Sequence, residues 1–353
     1  MPSPPVPKVH SGPAVQAVDA LFRAAGLVHT PYGKAAAGVI GRVRFDRAAP
    51  EELRQASSLP RAAPNGVELF RVPGWEKIHW LWHGFSTRRG GFSRAYCAED
   101  APGELNLGFT DGDDPATVAR NRQLLAEAVT GDPATPLITL RQIHSSALRL
   151  ATAGDAARKR LWKADGLLTD ESGLLLGVQT ADCIPVLVAD RKRRAVAVFH
   201  AGWRGTVKRI VETGIGRMRL EFGSRPEDLV AAIGPGIGPC CYAVGEEVLS
   251  GFESQFAYAG ELFCEVCDTD PVRARYPLLF LTQRAPGHSP LGPSLHLNLI
   301  EANRRQLLAA GLKPRSIKMV GGCTSCQPEL FFSHRASRGH AGRMMSVIGI
   351  RPR

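Results

Sequence analysis

Apolar residues along this chain fall into short β-like runs and longer helical stripes. The clearest pattern is residues 178–205, VQTADCIPVLVADRKRRAVAVFHAGWRG. Apolar, largely β-branched runs at 184–189 and 195–199 flank the basic stretch 191–194, which predicts a β-hairpin. With the turn centred between Arg191 and Lys192, Cys183 faces His200 across the ladder, their Cβ atoms about 5 Å apart on one face. Further strands are expected at 66–72, 78–85, 137–140, 164–170, 173–180, 229–233, 317–320 and 346–350. Helices are expected where period-3.6 stripes meet capping residues. Asp114 and Pro115 open one that runs to about 129. Thr206 starts another, with Val207, Ile210, Val211, Gly214, Ile215 and Met218 on one face and Gly223 at its end. Asn298 with Glu301 opens a third that Gly311 ends, and residues 246–258 form a fourth.

Residues 1–65 read as an N-terminal extension. The Pro-rich start has the composition of a disordered segment, short helices are expected at 15–25 and 50–57, and Pro60 and Pro64 mark a linker. Residues 66–353 then form one main catalytic domain, large enough for a sizeable core.

Composition narrows the function classes. Hydrophobic content of 44% and charged content of 22% are those of a globular protein, and no apolar run reaches the ~20 residues that span a bilayer. The N-terminus lacks a charged segment followed by an apolar one, so the eight cysteines are expected as reduced thiols or ligands in the cytoplasm. A net charge of +11 points to anionic partners. With aromatics at 7% and no nucleic-acid module, a small phosphate-bearing substrate is expected rather than nucleic acid, and no membrane. A monomer or weak homodimer is expected.

Candidate chemistry gathers around the hairpin. Cys183 and His200 suit one metal ion, a nucleophile with its base, or simply a buried thiol beside a hydrogen-bonded imidazole. Asp182 is a candidate acid/base, and Trp203-Arg204-Gly205 a candidate anion hook. Arg88 and Arg89 beside Gly90 and Gly91 offer guanidinium and backbone N–H groups to an anion. His144 follows a predicted strand, and with Cys183 and His200 it would complete the three-ligand, one-open-position set of a catalytic zinc. Cys264-x-x-Cys267 and Cys323-x-x-Cys326 have ligand-like internal spacing. The 55 residues between them far exceed a zinc ribbon's 15–20, so independent free thiols are expected.

The chain also resembles the YfiH/FAMIN laccase-domain family. The matching residues are Ser86-Thr87-Arg88-x-Gly90-Gly91-x-Ser93, Leu105-Asn106-Leu107-Gly108, Asp114-Pro115 with Asn121-Arg122, and Gln142-x-His144. They continue through Thr180-Ala181-Asp182-Cys183, His200 to Gly205, Gly234-Pro235-x-Ile237-Gly238-Pro239, Cys323-Thr324, Phe331-Phe332-Ser333-x-Arg335 and Gly342-Arg343. They run in order from about 75 to 350. The resemblance implies an α+β fold, a four-layer α/β/β/α sandwich in a single domain, with metal ligands at His144, Cys183 and His200. It implies a zinc-dependent purine nucleoside enzyme, combining phosphorolysis of adenosine, inosine and methylthioadenosine with deamination of adenosine. The catalytic set is then Asp182, Cys183 and Arg204. Arg88, Gly90, Gly91, Asn106 and Arg204 form the substrate and phosphate set. Three alternatives stand beside this reading. Copper-dependent polyphenol oxidation is disfavoured because none of the ten histidines forms a His-x-His pair, although copper would enter the same trio in vitro. A metal-free cysteine hydrolase would use Cys183 and His200. A non-enzymatic protein would hold a closed structural zinc.

Overall fold

The computed structural model describes residues 43–46, 59–157, 160–267 and 294–352. The helices expected at 15–25 and 50–57 lie outside them. In chain order the elements are β1 (Val43–Asp46), β2 (Arg61–Ala62), β3 (Glu68–Phe70), β4 (Leu81–Ser86), β5 (Arg89–Ser93), α1 (Pro115–Thr130), β6 (Leu137–Ile138), β7 (Leu148–Leu150), β8 (Gly166–Thr169), β9 (Leu175–Thr180), β10 (Ile184–Asp190) and β11 (Ala195–Ala201). There follow α2 (Trp203–Val207), α3 (Ile210–Phe222), β12 (Leu229–Ile233), α4 (Glu246–Glu253), β13 (Phe263–Cys267), β14 (Ser294–Leu297), α5 (Leu299–Ala309), β15 (Ile317–Met319) and β16 (Met344–Ile350).

Two six-stranded sheets form the middle of the molecule, ordered β2-β3-β4-β16-β9-β6 and β15-β12-β10-β11-β8-β7; β1, β13 and β14 make a smaller third sheet. The strands of the hairpin β10–β11 show why these are inner layers. Leu187, Ala189, Val196 and Val198 join Phe70, Phe85, Leu176, Val178 and Ile348 in a core between the two large sheets. Their alternate neighbours Val186, Val188, Ala197 and Phe199 pack outward on Ile210, Val211, Ile215 and Met218 of α3 and on Leu299 and Leu307 of α5. A strand buried on both faces needs apolar side chains at every position, which explains the continuous runs. On the far side, Leu125 and Val129 of α1 cover Val67, Leu69, Met345 and Val347. The order of layers is therefore helix, sheet, sheet, helix, as the resemblance implies.

Two local expectations are corrected. The hairpin pairs Pro185 with His200 and Asp190 with Ala195, so its turn centres between Lys192 and Arg193. The Asp190 carboxylate fixes this turn by accepting the N–H groups of Lys192 (2.8 Å) and Arg193 (2.9 Å). His200 thus faces Pro185 rather than Cys183. The shift is two residues, so it preserves the face on which both side chains stand. The helix expected from Thr206 begins earlier, at Trp203, and breaks at Arg209, whose φ of 57° is left-handed. Arg204 therefore lies inside the first turn of α2. Other caps follow the sequence: the Asp114 side chain accepts the Thr117 N–H, Asn298 accepts the Glu301 N–H, and Gly223 closes α3 at φ 65°.

Candidate metal centre

At one end of the seam between the large sheets, several loops bring His144, Cys183 and His200 together. The loop after β6 is pinned from one side by Gln142, whose amide exchanges two hydrogen bonds with the backbone of Gln179 (2.8 and 2.7 Å). From the other side the fully buried Asp165, just before β8, gathers it. Its carboxylate accepts the N–H groups of His144 (3.0 Å) and Ser145 (2.6 Å) and the Ser145 hydroxyl (2.7 Å). The loop holds His144 in the left-handed region at φ 56°. Such backbone strain survives only where surrounding bonds over-determine it. The link between β9 and β10 supplies Cys183, and β11 supplies His200.

One ligand atom from each of the three lies within 4.8 Å of the other two. Cys183 Sγ is 3.9 Å from His144 Nε2, and the imidazoles of His144 and His200 meet edge to face at 5.0 Å. His200 Nδ1 is 2.9 Å from the Asp165 carboxylate, which leaves Nε2 for the trio. Gly202 makes room for the sulfur, because a Cβ there would sit 2.9 Å from Cys183 Sγ and 3.1 Å from His144 Cδ2.

The charges are coupled. Burial opposes ionisation of Asp165, but hydrogen bonds from His200 and Ser145 outweigh it and hold the carboxyl down at about 2. Burial also penalises the Cys183 thiolate, yet the charge of His200 and the hydrogen bond with His144 lower the thiol to about 6. Burial would lower His200, while the Cys183 and Asp165 anions raise it to about 9. At neutral pH the pair is thus thiolate and imidazolium when no metal competes.

The donor set fits zinc: one sulfur, two imidazoles, a carboxylate behind one imidazole, and an open side. That side faces a cleft of about 1310 Å³. Eight cationic side chains line it (Arg122, Arg141, Arg149, Arg160, Lys163, Arg204, Arg335 and Arg343), against the single carboxylate of Asp182. Trp203, Tyr242 and Phe109 add aromatic surface. The Arg204 guanidinium stacks over the Trp203 ring at 4.4 Å. Asp182 has φ 93° and is 9% exposed. Its two carboxylate oxygens accept the Thr324 hydroxyl (2.7 Å) and the Arg335 N–H (2.7 Å).

Four expected binding residues are not brought to this cleft. Arg88, Gly90 and Gly91 line a separate one. The Arg88 guanidinium is taken up by Glu104 (2.7 Å) and the Pro328 carbonyl (2.6 Å). The two glycines answer a packing need, since a Cβ on Gly90 would fall 2.2 Å from the Gly66 carbonyl oxygen and one on Gly91 2.4 Å from that of Glu104. Asn106 is fully buried, with its amide engaged by Gly108, Asp113 and the Arg343 N–H. It fixes the backbone of Arg343, whose side chain reaches the cleft. Conversely, sequence reading passed over Asp165. Its one signal was an acidic residue opening an apolar strand.

The family model described as multi-copper polyphenol oxidoreductase laccase matches residues 82–351. The purine nucleoside phosphorylase YlmD of Geobacillus stearothermophilus is 35% identical over 274 residues, which is 76% of this chain and 89% of that protein. Adenosine deaminase RL5, from an unknown prokaryotic organism, is 32% identical over 270 residues, 75% of this chain and 92% of that protein. Among solved structures, the YfiH protein of Bacillus licheniformis superposes with a TM-score of 0.67 at 32% identity, over 83% of this chain and 99% of that one. With most of its length matched in sequence and in fold, the chain belongs to the YfiH-like family of multi-copper polyphenol oxidoreductase laccases.

Proposed function

We propose that the chain is a zinc-dependent purine nucleoside enzyme, acting by phosphorolysis of adenosine, inosine and methylthioadenosine and by deamination of adenosine. The observation that carries this reading is the three-donor site of His144, Cys183 and His200 opening into a cationic cleft. The relatives named purine nucleoside phosphorylase and adenosine deaminase support it. A zinc ion held by the trio would supply a Lewis acid that polarises a substrate oxygen or a water. Arg204 and Arg343 bind and orient phosphate, drawn in by the positive field of the cleft. Trp203 and Tyr242 offer flat surfaces to a purine. Asp182 exchanges the proton: its orientation is set by Thr324 and Arg335, and each oxygen keeps a lone pair for the substrate side. In phosphorolysis a phosphate oxygen bonds to the ribose C1′ as the bond to the base nitrogen breaks. In deamination water adds at the purine C6 and ammonia leaves.

Among the described residues, copper chemistry of a multi-copper kind lacks donors on the cleft. Only two groups among them could hold a metal, and the one on the cleft has three ligands. The cysteine hydrolase reading draws on the thiolate–imidazolium pair, which needs no metal. Product analysis separates these readings. Incubation with adenosine, with and without phosphate and a chelator, is expected to yield phosphate-dependent adenine and some inosine, both lost on chelation. A zinc-loaded chain that turns over no nucleoside overturns the proposal. Hydrolytic activity that survives chelation and dies on thiol alkylation would establish the alternative.

A further inference from the structure

A second cluster of donors lies away from the trio. β12 and β15 are parallel neighbours, and the loops that leave their C-terminal ends run side by side: Gly236 pairs with Cys323 as an isolated parallel bridge, and the Thr324 N–H donates to the Gly236 carbonyl (3.1 Å). This pairing gathers Cys240 and Cys241 from the first loop with Cys323 and Cys326 from the second. One sulfur from each of the four lies within 4.8 Å of the others. Cys326 Sγ is 3.5 Å from Cys240 Sγ and 3.4 Å from Cys241 Sγ. These separations are too long for a disulfide, whose sulfurs stand about 2.05 Å apart, and Cys326 approaches its two neighbours equally. They lie close to, and slightly inside, the edge of a tetrahedron of sulfurs around zinc, about 3.8 Å for a Zn–S bond of ~2.3 Å. The cluster is also prepared in the way anionic sulfur ligands are. Cys323 is 1% exposed and its sulfur accepts the Gly238 N–H at 3.2 Å. Gly238 packs tightly against the cluster: a Cβ there would lie 3.2 Å from both Cys240 Sγ and Cys323 Cβ.

We propose that Cys240, Cys241, Cys323 and Cys326 bind a structural zinc ion as four thiolates, in a closed site distinct from His144, Cys183 and His200. Each thiol gives up its proton on binding, and no electron is transferred. The independent free thiols expected at Cys323 and Cys326 thereby become ligands, and their partners are Cys240 and Cys241 rather than the other Cys-x-x-Cys motif, because β15 lies beside β12 and Cys264 sits buried in β13 of the small sheet. The ion would tie together the two loops that shape Asp182. One gives the Thr324 hydroxyl to its carboxylate, and the other gives the Ile237 N–H to its carbonyl (2.8 Å).

The inference stands whether or not the chain acts on nucleosides, and metal analysis tests it directly. The full chain, purified under reducing conditions, is expected to carry two zinc ions. A His144→Ala/His200→Ala variant, with the trio dismantled, should keep one. X-ray absorption of that remaining ion should show four sulfurs at about 2.3 Å and no nitrogen. Adding Cys241→Ser and Cys326→Ser should remove it; if that variant fails to fold, the absorption spectrum alone decides. Loss of all zinc from the His variant, a mixed nitrogen and sulfur shell, iron in place of zinc, or a disulfide among the four cysteines would each overturn the proposal.

Discussion

Asp165 arranges the trio as a prepared set of metal donors. It fixes the tautomer of His200 and the turn that carries His144, yet it is fully buried and does not line the cleft. Asp165→Asn is therefore expected to weaken zinc binding about 10- to 100-fold, read by competition with a chromophoric chelator. Affinity equal to that of the unmodified chain would deny Asp165 this role. His83 shows a different consequence of burial. Its Nε2 accepts the Val72 N–H (3.1 Å), and burial, reinforced by the Arg71 charge, drives its pKa from 6.5 down to about 3. Below pH 6.5 the unfolded chain takes up a proton that the folded chain refuses, so stability falls as pH falls towards 3. Between pH 6.5 and 5 the loss is about 2 kcal/mol. Equilibrium unfolding at both pH values should show this difference, and His83→Gln should abolish it. Little of this was visible beforehand. A lone acidic residue or histidine has no periodicity to betray what it touches.

Elements were easier to foresee, because apolar period and capping chemistry are local. The strand at Leu229–Ile233 and the helix caps at Asp114, Asn298 and Gly223 lie where the sequence puts them. The hairpin was legible in kind but two residues off in register, since the side-chain bonds of Asp190 chose the turn. The four-cysteine cluster was not legible. Cys240 and Cys326 are 86 residues apart, and only the pairing of β12 with β15 joins them. Helix α3 supplies a test of packing at this scale. Gly214 rests on Phe199, and a Cβ there would lie 2.2 Å from the ring. Gly214→Ala should then destabilise the domain by about 1–3 kcal/mol, despite alanine's better helix propensity, as overpacking outweighs it. A rise in thermal midpoint would contradict this account of the α3–β11 contact.

For the molecule as a whole, the sandwich was foreseen from the resemblance alone, and the strands apolar on both faces show why its two large sheets are inner layers. Net positive charge was also legible, but not its concentration: the fold focuses eight cations on one cleft. Arg204→Ala should raise the KM for phosphate about tenfold, with a smaller change for the nucleoside, and added salt should weaken phosphate saturation in the parent chain. Equal effects on both substrates would remove Arg204 from phosphate recognition. One architectural feature reaches further. The link Ala181-Asp182-Cys183 crosses from one large sheet to the other, and the trio draws its donors from both sides of that seam. An ion there would clasp the sandwich shut, contributing about 2.7 kcal/mol when present at 100 times its dissociation constant. A chain stripped of metal would open about a hundredfold more often and meet proteases sooner. Cells starved of metal would then run short of the protein itself, as well as of its activity.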